Sequence, residues 1–303
     1  MSDQADGLRE LVRAQSGTAI LAEPPECPRE APAHTRSLVF TSGKGGVGTS
    51  NLVLNLALAL GEHGQRVVLV DADFGLANID LLCGLTPACD LGDVLSGDAT
   101  LADAIVAGPS GVRIVPGAHG MRTLAEVLCE GPARLAAELS ALEDEADFLL
   151  VDAGSGLSPG IATLAAAAGE VVLVTTPEPT SVADAHAAIQ RLRRLPGPPR
   201  LRAVVNQAAS ADEAADVLAR LSASSRQFLG TVVTSLGHVR ADSHVAQAVR
   251  LRRPFVSAYP GALASRGVRR LAQALIDERR PQSRRPGFFH ALATRWALRR
   301  VAS

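Results

Sequence analysis

The stretch Thr41-Ser42-Gly43-Lys44-Gly45-Gly46-Val47-Gly48-Thr49-Ser50-Asn51 decides how this chain folds. An apolar run, Ser37-Leu38-Val39-Phe40, leads into it, and Asn51-Leu-Val-Leu-Asn-Leu-Ala-Leu-Ala-Leu60 leads out. The first has the residues of a buried strand and the second those of a helix. Strand, glycine-rich turn and helix in that order make a phosphate loop. Gly43, Gly45, Gly46 and Gly48 let the backbone curl until its N–H groups converge on phosphate oxygens at a helix N-terminus. Ser50 stands where the hydroxyl that ligates Mg²⁺ belongs. Read against G-x-x-x-x-G-K-[ST], the loop runs from Gly43 to Gly48-Thr49-Ser50, so Thr49 replaces the lysine that reaches the β- and γ-phosphates. A lysine does sit nearby, at Lys44. Of the 30 Lys and Arg residues, 29 are arginine and Lys44 is the only lysine, so this position calls for a slim point charge rather than a planar fork.

Two more apolar runs end in carboxylates. Gln65-Arg-Val-Val-Leu-Val70 leads to Asp71 and Asp73, and Asp147-Phe-Leu-Leu-Val-Asp152 delivers Asp152 four residues before Gly156. Carboxylates at the carboxyl ends of strands beside a phosphate loop lie where open α/β sheets bind ligands. Asp152 is placed to bind Mg²⁺ directly or through water, and the Gly156 N–H to sense a γ-phosphate. Further apolar runs at 111–117, 170–176 and 201–206 alternate with helical stretches, one of them capped by Thr180 or Ser181. The alternation predicts an α/β fold, a doubly wound and mostly parallel sheet over residues 36–280.

At 303 residues and 47% hydrophobic, the chain can bury one large core, and with aromatics at 3% that core is built from Ala, Val and Leu. The net charge of −1 is unevenly spread: residues 261–303 hold ten arginines against Asp277 and Glu278. A basic end on an acidic body points to an anionic surface as partner. Cys27, Cys83, Cys89 and Cys129 form no C-x-x-C pair and read as free thiols of a reducing cytosol. No apolar run approaches the roughly 18 residues of a spanning helix, so the expectation is a soluble protein or one held on a membrane from outside.

Lys-Gly-Gly at this spacing resembles the deviant phosphate loop of the MinD/ParA ATPases. The resemblance implies ATP and Mg²⁺ as cofactors and a homodimer that sandwiches ATP, with Lys44 reaching the partner's nucleotide. Residues 71–80 resemble that family's first switch, which would make Asp73 the residue that positions the attacking water and touches the Mg²⁺ shell. Lys44, Asp73 and Asp152 are then the catalytic set, and Ser50, Asp73 and Asp152 the metal set. Residues 43–51 (Gly43, Lys44, Gly45, Gly46, Val47, Gly48, Thr49, Ser50 and Asn51), with Gly156, would bind the nucleotide. In the family the equivalent of Asn206 bonds the adenine edge, and the segment ending at Asp242 closes over the base, although Arg240 replaces its usual proline. Iron-protein relatives of nitrogenase share the loop, but they need a cluster cysteine that residues 153–160 lack.

The two ends single out a branch. Residues 2–14 suit a short helix with Ala5, Leu8 and Val12 on one face. Residues 3–9, Asp-Gln-Ala-x-x-Leu-Arg, resemble the N-terminal element of the flagellar-number branch, FlhG or FleN. There this element docks on the signal-recognition-type GTPase FlhF and stimulates it through a glutamine, so 1–15 would be a GTPase-binding helix using Gln4, Leu8 and Arg9. Residues 16–35, with four prolines, read as a linker. After a breaker at 281–287, Phe288, Leu292 and Trp296 repeat at i, i+4, i+8 beside Phe289, with Arg295, Arg299 and Arg300 nearby. That composition suits a membrane-surface helix over 281–303, and the same branch ends in one.

The reading is therefore an ATP-binding, ATP-dependent dimerising regulator of flagellar number or placement. It would be cytoplasmic and peripheral on the inner face of the membrane, acting with an FlhF-type GTPase, with switch-ring proteins or a flagellar transcription factor downstream and no specific nucleic acid. Losing the second lysine removes a charge-assisted contact of about 1.5–3 kcal/mol, so ATP hydrolysis to ADP and phosphate is expected to be slow or absent. The alternatives are a ParA-like DNA-partition ATPase, using the basic end on nucleic acid, and a nucleotide-free scaffold.

Overall fold

The computed structural model describes residues 35–73, 77–118, 133–156, 158–278 and 287–301. The GTPase-binding residues expected at Gln4, Leu8 and Arg9 and the linker up to His34 lie outside them.

Eight strands form one sheet in the order β3-β4-β2-β5-β1-β6-β7-β8. In chain order they are β1 (Arg36–Ser42), β2 (Val67–Asp71), β3 (Val106–Ala107), β4 (Arg113–Val115), β5 (Phe148–Ser155), β6 (Glu170–Thr175), β7 (Arg200–Ala208) and β8 (Val233–Arg240). Every pairing is parallel except β3 with β4. The phosphate-loop strand β1 lies between β5 and β6, with β2 on the far side of β5. Register sets Phe40 opposite Asp152 and Asp71 opposite Asp152, so the two carboxylate residues stand level with each other on β2 and β5.

The helices are α1 (Thr49–Glu62), α2 (Ile79–Cys83), α3 (Leu91–Ser96), α4 (Leu101–Ala104), α5 (Ala133–Asp144), α6 (Pro159–Ala168), α7 (Pro179–Leu192), α8 (Ala211–Leu229), α9 (Ser243–Arg250), α10 (Phe255–Ala258), α11 (Leu263–Asp277) and α12 (Phe288–Val301). They cover both faces of the sheet, which is why the strands read as nearly continuous Val and Leu rather than alternating with polar residues. Along β1 the side chains split by turns. Leu38 and Phe40 join α1, α10 and α11 in one core, and Val39 joins α5 to α8 in the other. At the opposite end of the sheet from the loop, Arg36 of β1 and Arg202 of β7 both pair with Glu170 of β6 and with Glu278, just past α11.

Several local expectations need correcting. Helix α1 begins at Thr49, not Asn51, so Thr49 and Ser50 form its first turn. Neither Thr180 nor Ser181 caps α7. Glu178 is the N-cap with Pro179 at the first helical position, and the Ser181 hydroxyl instead accepts from the Thr176 N–H. The strand expected over 111–117 shrinks to Arg113–Val115 behind a 3₁₀ turn at Pro109–Gly111.

The largest correction is α12. Phe288, Phe289 and Leu292, expected to face a bilayer, are each 1% exposed and belong to the core shared with α5 and α6. The side chain of Trp296 lies outside the described residues. Each buried large side chain is worth about 1.5–3 kcal/mol relative to exposure, so the apolar stripe is spent on the body and not held out for lipid. Glu143 of α5 fixes the start of this helix. Its carboxylate accepts from the Phe288 N–H at 2.7 Å, the Phe289 N–H at 3.1 Å and the Ser37 hydroxyl at 2.9 Å.

Candidate functional site

The phosphate loop hangs between β1 and α1, and its shape follows from what crowds it. Gly48 caps α1 in the left-handed region, φ 84°, and a Cβ there would fall 2.7 Å from Asn206 Nδ2. Gly43 is tighter still: a Cβ would sit 2.3 Å from the backbone carbonyl carbon of Asp184 in α7. Only glycine passes at that separation. The Ser42 hydroxyl donates to the Lys44 carbonyl, which closes the turn at 2.8 Å.

Lys44 points toward α7. Its Nζ lies 2.6 Å from Glu178 Oε2 and 3.1 Å from Thr180 Oγ1. Thr49, in the place of the missing lysine, is buried, and its hydroxyl meets no partner among the described residues. A β-branched side chain inside the first helical turn cannot reach forward over the loop as a lysine does.

Asp152 and Asp73 both lie at the end of β5. Asp152 accepts from the Gly154 N–H at 3.2 Å, and the Ser50 hydroxyl beside it works to lower its carboxyl. The second oxygen of Asp152 is buried without a partner, within a residue that is 0% exposed. Asp73 closes over the end of β5, where a Cβ on Gly154 would lie 2.4 Å from its carboxyl carbon. Asp71 is used differently. It accepts from the backbone N–H of Asp73, Asn78 and Ile79 and so holds the start of α2. Burial pushes the Asp71 carboxyl well up, and the neighbouring Asp152 charge adds to it; burial also raises Asp152, with Asp73 contributing. A cluster that resists ionisation while one buried oxygen goes unsatisfied fits a divalent cation or its bound water. Ser50, Asp152 and Asp73 would hold Mg²⁺, and the loop amides a nucleotide's phosphates.

Other expected residues take structural parts. Asn206 Nδ2 donates to the Val47 carbonyl at 2.8 Å, bracing the loop from β7. Asp242 caps α9 through the His244 N–H and also takes the Ala264 N–H of α11. The Gly156 N–H donates to the Ser42 carbonyl at 2.9 Å, so it must leave that partner before it can meet a phosphate. Reading the sequence missed Glu178, Glu143 and Asn55. Asn55 sits fully buried in the middle of α1 and accepts from the Val256 N–H, tying α10 to the loop helix. An asparagine in the middle of an apolar helix and a glutamate between two prolines were the available signals.

A family profile described as ParA, NUBPL iron-transfer P-loop NTPase, matches residues 34–276. The chain is 40% identical over 236 residues to the antiactivator FleN of Pseudomonas aeruginosa, covering 78% of this chain and 84% of that protein. It is 28% identical over 246 residues to the flagellum site-determining protein YlxH of Helicobacter pylori, covering 81% and 83%. Among solved structures, the septum site-determining protein MinD of Pyrococcus horikoshii complexed with Mg-ADP superposes with a TM-score of 0.63 at 28% identity, covering 80% of this chain and 96% of that one.

Proposed function

The chain belongs to the ParA/MinD family of P-loop NTPases, and from that premise we propose that it is an ATP-binding, ATP-dependent dimerising regulator of flagellar number or placement. One observation carries the nucleotide part. Two buried polar atoms are left unpartnered among the described residues, Thr49 Oγ1 at the end of the phosphate loop and Asp152 Oδ2 on β5, the strand that pairs with the loop strand. A buried hydroxyl or carboxylate oxygen without a partner costs about 1–3 kcal/mol or more, and a ligand that supplies donors and a cation removes that cost. The 40% identity to FleN supports the flagellar output.

Lys44 supplies the one mobile positive charge of the loop. In the described state Glu178 holds it, and in the proposed ATP dimer it exchanges Glu178 for a phosphate of the partner's nucleotide. Thr49 lets ATP bind but contributes no charge to the transferring phosphoryl group, so turnover is slow. Residues around Gln4 act on an FlhF-type GTPase, and α12 reaches the inner face of the membrane only after Phe288, Phe289 and Leu292 leave the body. Switch-ring proteins or a flagellar transcription factor receive the output.

The deciding experiment is ATP binding and turnover with Mg²⁺, native protein and Thr49→Lys side by side. Binding without turnover, with turnover restored by lysine, supports a switch resting in its ATP state. Equal turnover in both proteins would overturn the part assigned to Thr49, and absence of binding in the native protein would leave a nucleotide-free scaffold.

A further inference from the structure

From Ser243 to Ile276 the chain carries six arginines and no aspartate or glutamate. Arg269 is paired with Glu62. Among the described residues no carboxylate lies in salt-bridge range of Arg250, Arg252 or Arg253, which cluster at the end of α9 and are exposed. Aliphatic side chains stand out between them: Leu251 is 56% exposed and Val249 41%.

Backbone bonds close this corner. The Leu251, Arg252 and Arg253 amides bond back to Gln247, Val249 and Ala248, and Pro254 leads straight into buried Phe255 and Val256. Arg252 sits at φ 49°, a left-handed position where glycine or asparagine is the usual occupant. Its carbonyl presses on Gly84, the left-handed C-cap of α2, where a Cβ would meet it at 2.6 Å. Helix α2, which ends there, also carries Leu81, 47% exposed. An arginine kept in a strained backbone position, among aliphatics turned to solvent, marks a surface whose side chains have a task outside the monomer.

We propose that the α9 turn, with Leu251 and Val249 flanked by Arg250, Arg252 and Arg253, is an anionic-lipid contact separate from α12. The charge is complementary to a phosphate-bearing surface, and guanidinium forks suit lipid phosphate. The exposed aliphatics favour lipid over nucleic acid, because headgroup and acyl boundary together accept both kinds of side chain. The surface packs on the α1 side of the sheet, whereas α12 packs on the other, so it is available while α12 stays docked. It also lies one short helix from the candidate metal site: Asp71 fixes the first residues of α2 and Gly84 ends it against Arg252. This contact goes beyond the proposed switch and does not depend on α12.

The test uses the full chain with vesicles of 30% phosphatidylglycerol in phosphatidylcholine or of phosphatidylcholine alone, probe compositions set at roughly the charge density of an anionic leaflet. Trp296 is the only native tryptophan and reports on α12, and Leu251→Trp in a Trp296→Phe background reports on the α9 turn. A blue shift at position 251 with anionic vesicles only, and a fall in partition of roughly thirtyfold in Arg252→Gln/Arg253→Gln, the worth of two basic residues, are the expected results. Native-like circular dichroism of these surface variants serves as the folding control. A shift at Trp296 alone would overturn the proposal and leave the α12 reading standing. A shift at 251 alone would uphold it and count against α12. Position 251 responding to duplex DNA but not to vesicles would overturn the lipid assignment in favour of nucleic acid.

Discussion

Lys44 Nζ lies 2.6 Å from Glu178 Oε2, so the only lysine of the chain is engaged by the residue that starts α7. The side chain of Glu178 is 64% exposed, and such a pair is worth about 0.2–1 kcal/mol in water. That is enough to delay Lys44 without trapping it. Glu178→Gln frees one lysine in each protomer and is expected to tighten ATP-dependent self-association by up to about thirtyfold, the worth of two such pairs. Sedimentation with and without ATP reads this directly, and weaker association in the variant would show that Glu178 supports the dimer instead of competing with it.

Thr49 offers a cleaner separation of fold from ligand. Its buried hydroxyl has no partner among the described residues, so Thr49→Val removes a desolvated polar group and keeps the shape. The ligand-free protein should melt no lower than the parent and up to about 2 °C higher, the equivalent of about 1 kcal/mol in a domain of this size. The rise in melting temperature on adding Mg-ATP should shrink at the same time. An unchanged Mg-ATP response would remove Thr49 from the nucleotide contacts.

The sequence displayed the parts of the fold that repeat and hid the parts that bring distant residues together. The loop, the strands carrying Asp71 and Asp152 and the parallel sheet follow from glycine spacing and apolar runs, and the structure has them, although β5 runs on past Asp152 to Ser155. The stripe of Phe288, Phe289 and Leu292 misled because periodicity reports that a helix has an apolar face and says nothing of what covers it. Deciding between lipid and body required Glu143, which is 145 residues from Phe288 in the chain. Asn206 and Asp242 were expected only from the family resemblance, as base contacts, and their bonds to Val47 and Ala264 join residues far apart in the chain.

Gly43 tests how closely α7 and the loop must approach. A methyl group there would overlap the Asp184 carbonyl carbon at 2.3 Å, and backbone on both sides leaves no flexible side chain to yield. Gly43→Ala should push α7 off the loop and abolish detectable ATP binding, while lowering stability by about 1–3 kcal/mol as overpacked cores do. Gly45→Ala is the control. A Cβ there meets only the Ser155 hydroxyl, at 3.5 Å, so the fold should keep its melting temperature. Equal ATP affinity in Gly43→Ala and the parent would mean that the loop tolerates a displaced α7.

Glu143 gives a prediction with a sign in pH. Burial raises its carboxyl above the ordinary range, outweighing the Phe288, Phe289 and Ser37 hydrogen bonds that pull it down. A folded-state value above the unfolded one means that the folded chain holds the extra proton. Its contribution to stability is therefore complete below the ordinary glutamate range and is lost as pH rises through the raised value. Glu143→Gln keeps an acceptor without the charge, so the gap in melting temperature between variant and parent should move in the variant's favour as pH climbs from about 4 to 8. Glu143→Ala instead strands two buried amides, at about 1–3 kcal/mol each, and should speed hydrogen exchange at Phe288 and Phe289 well before the rest of the core. Exchange at those two amides that stays as slow as in the parent would show that the buried phenylalanines hold α12 without the carboxylate.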